Sequence, residues 1–172
     1  MTSRMDRLWA GWRSAYVESA VDGALSASNE EGSIFTRILA SGLDDAETHI
    51  VHRGDHVFVI LNSYPYTSGH VLVMPYREAA ALEDLEPDEA AELWATVTDA
   101  VVAIKAAYRP EALNVGLNLG SAAGAGVAGH VHVHVLPRWS ADTNFMTAVA
   151  EARVLPEDLA TTWRRLRDAW PG

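Results

Sequence analysis

Three histidines alternate with valines in the segment 130–137, HVHVHVLP. Successive side chains of a β-strand point to opposite faces, so a strand here would carry His130, His132 and His134 on one face and valines on the other. With 7 histidines in 172 residues, roughly 0.01 matches to H-x-H-x-H are expected by chance. The pattern therefore predicts a strand with one chemically distinct face.

Three interpretations of these histidines remain open. They could be structural residues that fill a half-polar sheet face. They could also bind a metal, but neighbours on one strand face lie about 6.6 Å apart and the outer two about 13 Å apart, so one ion reaches only two of them. We favour a nucleophilic imidazole that the other two orient. A neutral histidine suits substitution at phosphorus, because it titrates near neutral pH and forms a labile adduct.

The composition disfavours several other classes of protein. The absence of cysteine excludes disulfide scaffolds, thiolate zinc sites, iron–sulfur clusters and cysteine nucleophiles. A net charge of -10 disfavours binding to nucleic acid or to an anionic membrane. The first residues, MTSRMDRLW, contain no apolar signal segment, and no apolar run is long enough to span a bilayer. We expect a cytoplasmic protein without a cofactor.

No repeat, low-complexity tract or Pro/Gly/Ser linker divides the sequence, so we predict one domain over residues 1–172. The periodicity of the apolar residues predicts an α+β fold. An antiparallel sheet would carry one long helix and a C-terminal helix packed on it. The predicted helices are Arg4 to Val17, a stripe from Ile34 to Leu39 that Gly42 ends, Glu86 to Tyr108, and a run from Pro156. A polar loop covers Asp22 to Gly32, and the predicted strands are three between Thr48 and Pro75, then ALNVGLNL and HVHVHVLP.

Two further sequence features have competing interpretations. Gly124, Gly126 and Gly129 form a literal G-x-G-x-x-G, but it leads into a strand, so it does not predict a dinucleotide-binding fold. These glycines could bring backbone amides close to an anionic oxygen, or they could be an ordinary flexible connection. Three arginines near the C-terminus, at 164, 165 and 167, have helical spacing. They could form a binding patch, but we favour a solvated helix face.

Several segments together resemble one known family. HVHVHVLP resembles the signature of the histidine triad (HIT) family, and Asn62 with SGHVLVMP, residues 68–75, is similar to the upstream strand motif of that family. The segment 114–139, NVGLNLGSAAGAGVAGHVHVHVLPRW, most resembles an actinobacterial branch of diadenosine tetraphosphate phosphorylases and ATP adenylyltransferases. LWAGWRSAY and LEDL are similar to that branch too.

The resemblance implies roles for four histidines. His132 would attack the α-phosphorus of a nucleotide and form a nucleotidyl-histidine intermediate. His134 would contact the phosphate or the leaving group, and His130 would help to fix the tautomer and orientation of His132. His70 would pack beside the site.

The resemblance also implies binding residues and partners. Asn118 would hold the α-phosphate, and Asn62 would lie near the ribose. The partners would be a nucleotide substrate and, for a phosphorylase, inorganic phosphate. Family members are commonly homodimers built through the long helix and a strand, so we expect a homodimer or a larger homo-oligomer, with Trp94 as a candidate contact.

The chain departs from the family pattern at several positions. Where zinc-binding members carry a Cys-x-x-Cys pair and a further histidine, this chain has Ser33, Thr36 and Glu78, so we expect no metal. Gly126 and Gly129 replace polar residues that usually precede the triad. Two alternatives therefore stay open beside a nucleotidyl hydrolase or transferase: a catalytically weakened nucleotide-binding regulatory protein, and an enzyme recruited to an unusual nucleotide in a specialised pathway.

Overall fold

The computed structural model describes residues 32–142 and 156–172. The predicted helix Arg4 to Val17 and most of the predicted loop Asp22 to Gly32 lie outside the described residues. The strands are β1 (Ile50–Arg53), β2 (Val57–Leu61), β3 (Val71–Pro75), β4 (Ala112–Gly116) and β5 (Val133–Arg138). The helices are α1 (Ile34–Ala40), α2 (Asp45–Thr48), α3 (Pro87–Tyr108) and α4 (Leu159–Asp168), with 3₁₀ turns at Leu82–Asp84 and Ser121–Ala123.

The five strands form one sheet in the order β1-β2-β3-β5-β4. Every neighbouring pair is antiparallel. The long helix α3 packs on the central strands, and the C-terminal helix α4 lies against α3 and β1. The predicted α+β fold, with a long helix and a C-terminal helix on an antiparallel sheet, is confirmed.

The sheet has a separate apolar core on each face, which explains why its central strands are continuous apolar runs. In β2, Val57 and Val59 belong to the core beneath α3. Phe58 and Ile60 alternate with them and pack on the opposite face, against Phe35 of α1. The helix α1 therefore covers part of the face opposite the long helix.

The helix α4 attaches to the strand at one edge of the sheet. Trp163 donates from Nε1 to the Ile50 carbonyl of β1 at 2.7 Å. Arg167 donates to the Val51 carbonyl of the same strand at 3.4 Å and forms an ion pair with Asp45. These bonds occupy carbonyl groups of an edge strand, where unpaired backbone groups invite association with other chains.

The three C-terminal arginines contact the protein itself. Arg165 forms an ion pair with Glu157 at 3.0 Å, and Arg164 donates to the Thr161 hydroxyl at 3.0 Å. All three arginines are nevertheless exposed, which agrees with the prediction of a solvated helix face.

One predicted strand boundary is wrong. Thr48 ends the helix α2 instead of beginning a strand. Asp44 and Glu47 form a capping box that closes this single helical turn, and His49 ends the turn in the left-handed region at φ 60°. The local capping hydrogen bonds therefore outweigh the alternating pattern of THIVHR at its first residues.

Two other elements are shorter than predicted. The predicted strand ALNVGLNL ends at Gly116 instead of Leu119, because the register of β4 with β5 ends there. The C-terminal helix begins at Leu159 instead of Pro156, since the Asp158 side chain accepts the N–H of the third helical residue and caps the helix there.

The surface carries several exposed apolar side chains. They include Trp94 and Val102 on α3, Val115 on β4 and Leu119 after it. In the part of the chain that the structure describes, β4 has a strand neighbour on only one side, and no helix is long and apolar enough to cross a bilayer. A homodimer formed through the long helix and a strand stays a prediction.

Gly69, which precedes β3, lies where the backbone meets the long helix. Its φ of +85° is in the region that favours glycine. A Cβ at this position would lie 2.9 Å from the Tyr108 ring and 3.3 Å from Pro137. The ring is held in place, because the Tyr108 hydroxyl donates to Glu157 at 2.6 Å. Both backbone conformation and packing therefore require glycine beside His70.

We predict that Gly69→Ala lowers the free energy of unfolding by roughly 2–4 kcal/mol, through backbone strain and the contact with Tyr108. Gly42→Ala is the matched control, because Gly42 has φ +74° with no atom within 4 Å of a Cβ. It should cost only the backbone strain, about 1–2 kcal/mol. Urea unfolding of both variants measures the difference, and equal losses would contradict the packing account.

Candidate active site

The histidine segment joins the sheet later than predicted. β5 begins one residue before His134, so His130 and His132 lie in the segment that precedes the strand. The N–H of Val131 donates to the Ala79 carbonyl at 2.7 Å, outside the strand ladder. The prediction of a strand over all of HVHVHVLP is therefore wrong for its first residues.

The predicted separation of the two faces holds for the strand itself. Val133 and Val135 belong to the core beneath α3. His134 pairs with Leu72 of β3, and Leu72 belongs to the core on the opposite face. The ring centroid of His132 lies 5.1 Å from that of His134. The two imidazoles are therefore neighbours in a site formed opposite the long helix.

A backbone hydrogen bond fixes the tautomer of His132. This side chain is 5% exposed, and its Nδ1 lies 2.8 Å from the carbonyl oxygen of His130. A carbonyl oxygen only accepts hydrogen bonds, so Nδ1 carries the proton. In the neutral ring the lone pair then lies on Nε2, so Nε2 is the ring nitrogen with nucleophilic character.

A second hydrogen-bond chain fixes the tautomer of His134. The N–H of Tyr66 donates to Nδ1 of His70 at 3.1 Å, and the Asn62 amide nitrogen lies 3.4 Å from the same atom. Since both partners are donors, the Nδ1 of His70 accepts and its Nε2 donates to Nδ1 of His134, at 2.9 Å. His134 therefore carries its proton on Nε2.

Burial keeps the triad histidines neutral. It lowers the pKa of His134 to about 4, with a smaller contribution from the neighbouring His132. Burial also lowers the pKa of His132, against an opposing effect of the hydrogen bond to the His130 carbonyl. The pKa of His130 is lowered by burial as well. At pH 7 the three rings are therefore neutral.

This arrangement suits nucleophilic substitution at an anionic centre. His132 offers an unprotonated Nε2, and His134 beside it offers an N–H donor. A donor at this position can stabilise a phosphate oxygen or a departing oxygen while the neighbouring nitrogen attacks. The neutral tautomers supply both functions without a prior proton transfer.

The two asparagines predicted to bind substrate lie in different parts of the structure. Asn62 lies in the site, where its Oδ1 accepts the N–H of Tyr64 at 2.9 Å while its amide nitrogen faces His70. Asn118 is half-buried and lies two residues beyond Gly116, the β4 residue that pairs with His134. Asn62 therefore orients His70, and its contact with a ribose stays a prediction, as does the contact of Asn118 with a phosphate.

The glycine loop connects β4 to the histidine segment. Gly124 ends the second 3₁₀ turn at φ +92°, and its N–H donates to the Ser121 carbonyl at 2.9 Å. This hydrogen bond shapes the loop, and a contact of Gly124 with an anionic substrate stays a prediction. Gly126 follows in a half-buried position. The contact of Gly126 with an anionic substrate stays a prediction.

Sequence analysis missed three residues that contact the site histidines. Ser33 lies 2.9 Å from His130 through its hydroxyl, Phe35 contacts the rings of both His130 and His132, and Tyr66 packs on His134. Ser33 caps the helix α1 and Phe35 lies within it, almost 100 residues away in sequence. Only the position of Ser33 in the family motif, where zinc-binding members carry a ligand, indicated a connection with the site.

The residues around His130 do not fit a zinc ion. Ser33, Thr36 and Glu78 do lie beside it, as the family pattern suggests. Zinc is usually held by thiolates, imidazoles and carboxylates, whereas two of these residues are hydroxyls and the Nδ1 of His130 is already hydrogen-bonded to Ser33. Among the residues that the structure describes, no group of three or more histidine, cysteine, aspartate or glutamate side chains is placed to hold a metal.

The sequence itself matches a known family over most of the described sheet. Residues 44–141 match the model of the HIT domain. The AP-4-A phosphorylase of Mycobacterium tuberculosis is 43% identical over 168 residues, which cover 97% of this chain and 85% of that protein. The chain belongs to the HIT family. The mycobacterial relative also confirms the predicted likeness to the actinobacterial branch.

Other HIT proteins extend the likeness in sequence and fold. The asymmetrical bis(5'-nucleosyl)-tetraphosphatase of Schizosaccharomyces pombe is 40% identical over 95 residues, covering 55% of this chain and 52% of that protein. A crystal structure of a zinc-bound histidine triad family protein from Mycobacterium smegmatis superposes with a TM-score of 0.65 at 27% identity, covering 80% of this chain and 92% of the other. These comparisons confirm the predicted HIT fold.

The low pKa of His134 predicts that acid destabilises the fold. Below its ordinary pKa of 6.5, this histidine binds a proton in the unfolded chain but stays neutral in the folded one until about pH 4. The unfolded state therefore gains protons first, and the free energy of unfolding should fall by about 1–2 kcal/mol from this residue between pH 7 and pH 5. Urea unfolding of wild type and His134→Asn at both pH values tests this, because the variant should lose less stability. An identical loss would contradict the assigned environment of His134.

Proposed function

We propose that this HIT protein transfers a nucleotidyl group through His132. Its Nε2 attacks the α-phosphorus of a nucleoside 5'-phosphate derivative, a P–N bond forms, and the bond from phosphorus to the leaving-group oxygen breaks. An acceptor oxygen from water or inorganic phosphate then attacks the same phosphorus and releases the imidazole. The observation that carries the proposal is the unprotonated Nε2 of His132 beside the Nε2–H of His134.

The supporting relatives indicate a dinucleoside polyphosphate as substrate. The mycobacterial relative is named as a phosphorylase of AP-4-A, which is diadenosine tetraphosphate, and the fission-yeast relative is named as a tetraphosphatase. Both names support an enzyme that cleaves a polyphosphate bridge, and they differ in the acceptor. We favour phosphate as the acceptor, because the mycobacterial relative aligns with nearly the whole chain.

The binding residues follow from this assignment. Asn118 would donate to an oxygen of the α-phosphate, and Asn62 would lie near the ribose while it holds His70. Gly126 provides no side chain for the leaving group, which leaves room for a second anion such as the attacking phosphate. No metal is required in this scheme, because the nucleophile and the donor are both imidazoles.

We predict that His132→Ala lowers kcat by at least about 10³-fold, because the covalent route is lost while the fold and nucleotide binding remain. The purified protein is incubated with diadenosine tetraphosphate, ATP, ADP and an adenosine phosphoramidate, with and without phosphate, and the nucleotides are separated by chromatography. His56→Ala is the matched control, since His56 is exposed in the turn before β2. Excess chelator should leave the rate unchanged.

The outcomes separate the alternatives. A rate that depends on both His132 and phosphate supports a phosphorylase, and a rate without phosphate supports a hydrolase. Retained turnover in His132→Ala would reject the nucleophile. Binding without cleavage of any substrate would favour the regulatory protein, and cleavage of an unusual nucleotide alone would favour the specialised enzyme.

A further inference from the structure

Four polar residues from separate parts of the chain meet at His130. They are Ser33 before α1, Thr36 within α1, Glu78 after β3, and His130 itself; together we call them the Ser33 network. His130 is fully buried, and both of its ring nitrogens have partners. Its Nε2 lies 2.8 Å from the Pro75 carbonyl, and its Nδ1 lies 2.9 Å from the Ser33 hydroxyl.

The direction of each hydrogen bond follows from these partners. The Pro75 carbonyl only accepts, so Nε2 of His130 carries the proton and Nδ1 is an acceptor. The Ser33 hydroxyl must therefore donate to Nδ1. As an acceptor, the same hydroxyl caps α1 by receiving the N–H of Thr36 at 3.2 Å.

Glu78 anchors the other end of the network. Its carboxylate accepts the N–H of Ser33 at 2.6 Å and the hydroxyl of Thr36. These hydrogen bonds, with that of Thr36 the largest contribution, hold the pKa of the Glu78 carboxyl below its usual value, so the group is charged at neutral pH. The start of α1 is thereby tied to the segment that follows β3.

The network leads directly to the proposed nucleophile. The carbonyl of His130 is the group that holds the proton of His132 on Nδ1. Phe35, two residues after Ser33, contacts the His130 ring at 5.5 Å and the His132 ring at 5.6 Å between centroids. Movement of α1 would therefore disturb the His130 carbonyl that bonds to His132, and also the orientation of the His132 ring.

We propose that Ser33 is a positioning residue, whose hydroxyl fixes His130 and through its carbonyl the reactive tautomer and orientation of His132. This role rests on the proposed function, because it assumes that His132 is the nucleophile. The hydrogen bonds of the network connect α1 to the histidine segment, beside the packing of Phe35 on the same rings. Ser33 therefore acts through His130, which its hydroxyl contacts.

The test compares Ser33→Ala with Ser33→Thr, which keeps both the hydroxyl and a good helix cap. In Ser33→Ala, kcat should fall about tenfold, as expected for one lost hydrogen bond, with KM changed by less than about twofold. ¹⁵N NMR of the histidine rings should show Nδ1 of His130 shifting toward the value of a nitrogen without a hydrogen bond, together with a change in the His132 ring. Ser33→Thr should restore both readouts.

Two further variants complete the test: a substitute in case Ser33→Ala unfolds, and a matched control. Ser33→Gly also removes the hydroxyl but costs a helix cap little, so it replaces Ser33→Ala if that variant unfolds. Ser41→Ala is the matched control, because the Ser41 hydroxyl ends the same helix by donating to Ile38 at 2.7 Å and lies exposed. It should leave kcat and the ring resonances unchanged.

The NMR and kinetic readouts separate the two proposals. If the wild type cleaves none of the nucleotides, the proposed function fails, and the ring resonances alone decide whether the Ser33 hydroxyl orients His130 and His132. Unchanged resonances in Ser33→Ala would overturn the positioning role. Changed resonances with an unchanged kcat in an active enzyme would overturn it too, as would an equal loss of kcat in Ser41→Ala.

Discussion

The hydrogen bond from Nδ1 of His132 to the carbonyl of His130 is the interaction on which the site depends. It decides which ring nitrogen keeps a lone pair, and burial keeps that nitrogen unprotonated at neutral pH. The opposite tautomer would present an N–H to the substrate and could not attack. The surrounding elements position the histidines. The helix α1 contacts His130, and the segment before β3 contains His70, which orients His134.

The sheet makes this arrangement possible because one face forms the core beneath α3 and the other face carries the site. Valines from β2, β3 and β5 form the core beneath α3 and make the strand rigid. The alternate residues face the other way, toward α1 and the site. The backbone of His134 is thus fixed by a well-packed strand, and its side chain is only partly buried among the described residues. The rigidity of the strand and the chemistry of the site therefore depend on opposite faces of β5.

The fold and the centre of the site could be predicted because they depend on local patterns. Alternation indicated the strands, helical spacing indicated α3, and the H-x-H-x-H run indicated the three histidines, whose separate roles came only from the family resemblance. The start of β5 could not be predicted, since the Ala79 carbonyl that takes the N–H of Val131 is brought there by the fold. Ser33, Phe35 and Tyr66 were missed for the same reason: their contacts with the histidines join residues far apart in sequence or across a loop. Thr48 was assigned wrongly because a capping box competed with the strand pattern.

The most direct test of the account is to trap the covalent intermediate. Wild-type protein is mixed with diadenosine tetraphosphate without added phosphate, quenched rapidly in base, in which a phosphorus–imidazole bond survives, and analysed by peptide mass spectrometry. The account predicts a nucleotidyl group on His132 within the histidine segment, and its loss when phosphate is added before the quench. A nucleotidyl group on His134 or on another residue, or turnover with no adduct at any time, would contradict it.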